Sequence, residues 1–269
     1  MKLMFQSVSL FLLLTFSGVL TVFAAEENPI TNKFSVGFEY NGIHNKDLRP
    51  KDPESVESLK ITNSDQFYSV FSYKFIQNQK LSAALYGKIG TANLTLRSLE
   101  TVLKKTIILK YDSSLAWGQG ATAQYDCDNG VSLSSKTEYR EFDGDLGFAS
   151  YDEEKGFSIT GGDHVRVKEF QTSLLLSKKI SYPPLNNQLV FRPYGGPLFH
   201  QTRIHTGDVG FATGSTAFLG NFAMGGTPRK QFGWIAGIDV LALSEALKLS
   251  LEYEFLSEDA IRASVHYSF

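Results

Sequence analysis

The chain has 269 residues, a formal net charge of -2 and a single cysteine, Cys127. The near-neutral charge argues against nucleic acid as the main partner, because phosphate binding needs a clustered basic surface. One cysteine excludes an internal disulfide, and Cys127 has no Cys or His neighbours at metal-ligand spacing.

The N-terminus opens with Met1-Lys2-Leu3 and continues through an apolar run containing Leu10-Phe11-Leu12-Leu13-Leu14 and Val19-Leu20-Thr21-Val22-Phe23. Ala24-Ala25 close the run and Glu26-Glu27 follow. A positive start, an apolar middle and small residues before charge form a secretory signal peptide, expected over residues 1–25 with cleavage after Ala24 or Ala25. An uncleaved anchor is the alternative. Residues 26–269 are then one mature domain. No segment beyond residue 25 is long and apolar enough to span a bilayer as a helix, so any membrane crossing must use strands.

The mature chain repeats stretches of about ten alternating residues separated by polar connectors. In 34–41, Phe34, Val36, Phe38 and Tyr40 oppose Ser35, Gly37, Glu39 and Asn41. Segment 67–76 is a strand of poorer phase. In 81–90, Leu81, Ala83, Leu85 and Ile89 oppose Ser82, Tyr86 and Lys88. After the less regular 113–125, segment 131–140 sets Val131, Leu133 and Tyr139 against Ser132, Ser134, Lys136, Glu138 and Arg140. In 169–177, Phe170, Thr172, Leu174 and Leu176 oppose Glu169, Gln171, Ser173 and Ser177, with Leu175 out of phase. Segments 189–203 and 231–243 complete the set of poorer phase; Pro193 and Pro197 make the first of these the least regular, since proline lacks an amide donor. Segment 247–256 places Leu247, Leu249, Leu251, Tyr253 and Phe255 opposite Lys248, Ser250, Glu252 and Glu254. The last, 261–269, separates Ile261, Ala263, Val265, Tyr267 and Phe269 from Arg262, Ser264, His266 and Ser268. A helix would mix these sets, and a strand separates them.

The connectors alternate in length. Long ones at 43–66, 93–112, 143–164 and 204–230 take turns with short ones at 77–80, 126–130, 179–188 and 244–246, and a short 257–259 ends the series. Within 93–112, residues 93–96 and 106–111 look extended and could carry a hairpin above a membrane surface. An all-β, up-and-down antiparallel transmembrane β-barrel of about ten strands, with eight or twelve as neighbouring counts, puts the long loops on one rim and the tight turns on the other. A closed barrel satisfies all its backbone groups in lipid. The uncharged face then meets lipid, and the lumen receives Glu39, Lys88, Lys136, Glu138, Arg140, Glu252 and Arg262. Glu169, Lys248 and Glu254 lie on the same charged faces. Ten strands enclose a narrow lumen, and charges of both signs imply a plugged or tight pore. Tyr40, Tyr139, Phe170, Phe255, Tyr267 and Phe269 are candidates for aromatic girdles. A secreted soluble barrel or sandwich, apolar face inward, also alternates; connector asymmetry and the leader favour the membrane.

The closing strand Val265-His266-Tyr267-Ser268-Phe269 resembles that of bacterial outer-membrane β-barrels. Tyr86-Gly87-Lys88-Ile89-Gly90, Arg192-Pro193-Tyr194-Gly195-Gly196 and Phe232-Gly233-Trp234-Ile235-Ala236-Gly237-Ile238 resemble small opacity-type and porin-like members. The resemblance implies a Gram-negative-type cell and an outer-membrane location surrounded by lipid. It also implies a C-terminal assembly signal in Val265, Tyr267 and Phe269, read by the barrel-assembly machinery. It implies no substrate.

No hydrolase elbow, zinc-protease motif or phosphate loop is present. Asp143-Gly144-Asp145 and Asp163-His164 invite comparison with omptin proteases, but here they share one loop, so no catalytic residue is assigned. Asp126, Asp128 and Asn129 suit a tight turn better than calcium, because the turn is too short and lacks the required Glu. The expectations are therefore no enzyme activity, no cofactor, no metal and no nucleic-acid partner. The leading function is a porin-like narrow channel or structural barrel with long extracellular loops. The alternative is a surface adhesion or interaction protein acting through those loops on an unspecified extracellular ligand, and a remote alternative is an omptin-like rim protease.

Overall fold

The computed structural model describes residues 33–50, 54, 56–78, 80–100, 106–151, 158–161, 164–181, 189–206, 208–213, 217–223, 226–228 and 230–269. The expected signal peptide lies outside the described residues.

Ten antiparallel strands close into a barrel: β1 Phe34–His44, β2 Val56–Gln77, β3 Leu81–Glu100, β4 Thr106–Asp126, β5 Val131–Tyr151, β6 His164–Lys178, β7 Val190–Thr206, β8 Phe232–Ala242, β9 Leu247–Phe255 and β10 Asp259–Ser268. Each pairs with its chain neighbours, and β10 returns to β1 with Phe38 opposite Val265. The ten-strand barrel expected from alternation is the one observed. At the lower end, tight turns join β4 to β5 and β8 to β9. One is the Asp128–Gly130 turn, where Asn129 and Gly130 adopt φ of 65° and 70°, a conformation that Asn and Gly tolerate best.

The strands differ greatly in length. β1, β8, β9 and β10 have 11, 11, 9 and 10 residues, the length a tilted membrane strand needs. β2 to β5 have 22, 20, 21 and 21 residues, so at about 3.3 Å per residue they run to roughly 70 Å. They continue upward past the short strands and close a second ring. Two further strands, Lys46–Pro50 and Gly226–Pro228, bridge β2 to β7: Lys46 pairs with Ile61, Arg49 with Thr227, and Gly226 with Ile204. The upper ring therefore has eight strands, six of them shared with the ten-stranded lower ring. Breaks in register lie near the join, between Ile61 and Asn63, Ala92 and Leu94, and Tyr111 and Ala116. Such irregularities bend strands and adjust their phase.

This bears out the extended reading of 93–96 and 106–111, which pair with each other, and corrects the rest of the connector reading. Segments 43–66 and 93–112 are largely strand, and 143–164 and 204–230 also contain strands. The last two share a small separate sheet of 158–161, 208–213 and 217–223. The upper halves read as loops because Lys60, Arg97, Lys110, Asp143 and Arg166 sit among them. Those charges occupy only the outward positions.

The prolines of β7 are accommodated within the strand. The β6–β7 ladder passes from Gly195↔Leu176 to Leu198↔Ser173 without pairing Gly196 or Pro197. A Cβ on Gly196 would stand 2.0 Å from the Leu174 carbonyl oxygen, so only glycine permits this approach of β6.

Candidate functional site

The two rings have opposite polarity, and β3 shows it within one strand. Its inward residues are Tyr86 and Lys88 below, then Ala92, Leu94 and Leu96 above; its outward residues are Leu85 and Ile89 below, then Thr95 and Arg97 above. β6 repeats the exchange. Glu169, Gln171 and Ser173 are buried below buried Val165 and Val167, while Phe170, Leu174 and Leu176 lie outside below Arg166 and Lys168.

In the upper ring, Ile43, Leu48, Leu59, Ile61, Leu94, Leu96, Ile107, Leu109, Val165, Val167 and Ile204 belong to one apolar cluster, none more than 4% exposed. Each such side chain contributes about 1.5–3 kcal/mol by leaving water. Tyr111 shares this core, and burial pushes its hydroxyl pKa up from the ordinary value. The interior here is packed hydrocarbon.

In the lower ring the interior is ionic. Lys88 Nζ on β3 stands 2.8 Å from Glu39 Oε1 on β1 and 2.8 Å from Glu138 Oε1 on β5. Arg140 Nε lies 3.1 Å from Glu138 and its terminal nitrogen 3.3 Å from Glu169. Arg262 on β10 reaches Glu252 at 2.9 Å, Glu254 at 3.2 Å and Glu39 at 3.7 Å. Lys136 joins at 3.3 Å from Glu138. Lys46 pairs with Glu169 at 3.1 Å and with Glu258. Neutral groups link the ions: Gln66 accepts from Arg140 at 3.1 Å, and Gln171 accepts from Arg262 at 3.0 Å while donating to Glu254 at 3.1 Å. Glu39, Lys88, Glu138, Arg140, Glu252 and Arg262 are all buried and Lys136 partly so, and together they form a partition across the barrel. Buried ions need such mutual pairing, because an isolated charge out of water is very costly.

Glycines make this partition possible. β4 lies between Lys88 and Glu138 and puts Gly118 and Gly120 beneath the crossing side chains. A Cβ on Gly118 would stand 2.9 Å from Lys88, and one on Gly120 only 2.4 Å from the Tyr86 hydroxyl. Tyr86 thereby donates to Glu138 at 2.8 Å across the intervening strand. The device recurs where Tyr194 on β7 donates to Glu252 on β9 at 3.1 Å, passing over Gly237, whose Cβ would stand 2.6 Å from its hydroxyl. The Trp117-Gly118-Gln119-Gly120 spacing is the sequence signal for this arrangement. Leu175, out of phase with its strand's apolar residues, packs in the lumen with Leu198, Ile235 and Tyr194.

The acidic loop considered for catalysis has another structure. Asp143 accepts from Arg166 at 2.7 and 3.2 Å, Asp145 pairs with His164, and Lys168 lies 3.5 Å from Glu141. These form a ladder of opposite charges across β5 and β6 on the outer wall, with Asp145 77% and His164 79% exposed. A catalytic pair would sit in a cleft, not on an open wall. Asp163 lies outside the described residues. No group of three or more His, Cys, Asp or Glu among the described residues could hold a metal. Cys127 is exposed beside the turn.

On β10, Val265, Tyr267 and Phe269 share the outward face. Phe269 is 57% exposed, while neighbours cover Val265. The Phe269 amide donates to the Phe34 carbonyl at 2.9 Å and closes the seam with β1.

No protein-family model and no curated protein matches the chain. Among solved structures it is similar to the translocator domain of the autotransporter NalP from Neisseria meningitidis, with 10% identity over 94% of this chain and 93% of that one and a TM-score of 0.45. It is also similar to the transport unit of the autotransporter AIDA-I from Escherichia coli, with 11% identity, 92% and 94% coverage and a TM-score of 0.41. The toluene transporter TbuX of Ralstonia pickettii gives 8% identity, 89% and 90% coverage and a TM-score of 0.35. The fold assignment rests on the strand pairing itself.

Proposed function

We propose that this chain is an integral outer-membrane β-barrel that is closed across its middle and holds a rigid, water-facing β-tier above the membrane. One observation carries the reading: inward and outward polarity exchange places where the ten-stranded ring gives way to the eight-stranded one. A wall whose outward side chains are Phe71, Leu85, Ile89, Leu115, Leu174, Leu176 and Leu251, each between 49% and 65% exposed, suits acyl chains. In water it would be an apolar surface far larger than soluble proteins tolerate. The upper wall, with Arg97, Lys110, Asp143 and Arg166 outward, suits water.

The closed lumen favours a structural or surface-presenting role over free diffusion of solutes. The ionic partition and the apolar core block the same axis at two heights. In planar bilayers the purified protein should give no conductance steps, and steady conductance would contradict the closed reading. Outer-membrane fractionation and heat-modifiable gel migration test the membrane reading separately. A protein that stays soluble and monomeric without detergent would overturn it.

A further inference from the structure

The outer wall just above the apolar belt carries three cations in a row that crosses four adjacent strands. Lys168 on β6 is opposite Arg203 on β7. The Ile204↔Gly226 pairing sets Arg203 beside Thr227, and Thr227 is opposite Arg49. Three inter-strand gaps of about 4.8 Å give a row about 14 Å long. Arg49, Thr227 and Arg203 are exposed, and their neighbours Leu48, Gly226 and Thr202 are buried, which fixes the row on the outside. Next to it lies a cleft of about 540 Å³ lined by Arg49, Thr227, Pro228, Lys230, Gln231 and Phe232.

Two features together mark this patch. Arg166 has Asp143, Lys60 has Asp47 and Lys168 has Glu141, whereas Arg49, Arg203 and Lys230 have no carboxylate partner among the described residues. Directly below are aromatic groups facing outward: Phe170, Phe199, Phe232 and Trp234, with the Phe199 and Phe232 rings 5.3 Å apart and Phe232 72% exposed. Unpaired cations over an aromatic girdle mark the level where acyl chains end and headgroups begin.

We infer that Arg49, Arg203 and Lys230, with Lys168 at the end of the row, form a binding site for the phosphate-bearing headgroup of an anionic membrane lipid, whose chains lie against Phe199, Phe232 and Trp234. The inference rests on the proposed membrane orientation. A lipid fits better than a soluble anion because exposed Phe232, at the top of the apolar belt, lines the cleft beside Arg49 and Lys230.

Trp117 and Trp234 are the two tryptophans, so each serves as reporter once the other is replaced. The Trp117→Phe protein is reconstituted into phosphatidylcholine vesicles containing equal mole fractions of either brominated phosphatidylglycerol or brominated phosphatidylcholine. The brominated anionic lipid should quench Trp234 at least about twofold more strongly, since each interfacial cation enriches anionic lipid severalfold. The R49Q/R203Q/K230Q variant should lose that preference while keeping heat-modifiable migration, and single R203Q should lose part of it. Trp117, read in the Trp234→Phe protein, should show no preference. Equal quenching of Trp234 by both lipids would overturn the site and leave the membrane reading standing. No quenching of either tryptophan by either lipid would overturn both.

Discussion

The lower and upper halves of β2 to β7 are the same strands with the polarity of inside and outside exchanged. Below the join the interior is held by Lys88, Glu138, Arg140, Glu169 and Arg262, and the outward side chains are apolar. Above it, Leu94, Leu96, Ile107 and Leu109 fill the interior and the exterior is charged. Period-two alternation runs unbroken through both halves of β3 and β6, so it reports strand geometry and not which side is dry. On the proposed membrane reading the medium outside changes, and with it the kind of interior that is stable: paired ions and hydrogen bonds in one half, close-packed aliphatics in the other.

Substitutions in the two halves should therefore have unlike consequences. The largest effect is expected from Lys88→Met, which removes the cation shared by Glu39 and Glu138, leaving Glu39 only Arg262 at 3.7 Å, and should cost about 3–5 kcal/mol in chemical denaturation. K88M/E138Q should recover part of that loss. Leu94→Ala, six residues along the same inward face, should cost about 2–5 kcal/mol through its cavity. If L94A were neutral, the upper interior would not be a packed core. On the outward face the contrast is sharper: Leu85→Arg should cost about 2–4 kcal/mol in a bilayer, whereas Thr95→Arg should stay within about 0.5 kcal/mol. Equal costs at both positions would remove the boundary between them. Gly120→Ala should cost about 1–3 kcal/mol by displacing Tyr86, and Tyr86→Phe combined with it should relieve none of the ring clash. The smallest effect belongs to the exposed ladder: Arg166→Gln should leave melting unresolved from the parent, and salt should erase any difference.

The same contrast explains what the sequence makes legible. Segments 247–256 and 261–269 are clear because their full length lies in one medium, so apolar and charged sets never exchange faces. The ten-strand count follows from such segments and their turns. Of the upper tier only 93–96 and 106–111 read as extended; the rest is hidden because its charges, such as Lys60, Asp143 and Arg97, lie on the face that is apolar lower down, and the mixture resembles a solvated loop. The bulge between Ile61 and Asn63 adds a phase shift that no period reveals. Within the partition, Glu39, Lys88 and Arg262 stand in clean alternation. Lys46 and Glu258 lie in stretches read as connectors, and His200, whose Nδ1 stands 3.6 Å from Glu258, lies in the proline-interrupted strand. These long-range partners, such as Lys46 and Glu169 separated by 123 positions, come together only when the ring closes.

Nitroxide scanning along β3, in a Cys127→Ser background with single cysteines at 85, 89, 93, 95 and 97, tests the exchange of media most directly. Labels at 85 and 89 should be relaxed by oxygen and shielded from a water-soluble paramagnet, and labels at 93, 95 and 97 should show the reverse. One uniform accessibility pattern along all five positions would contradict the account.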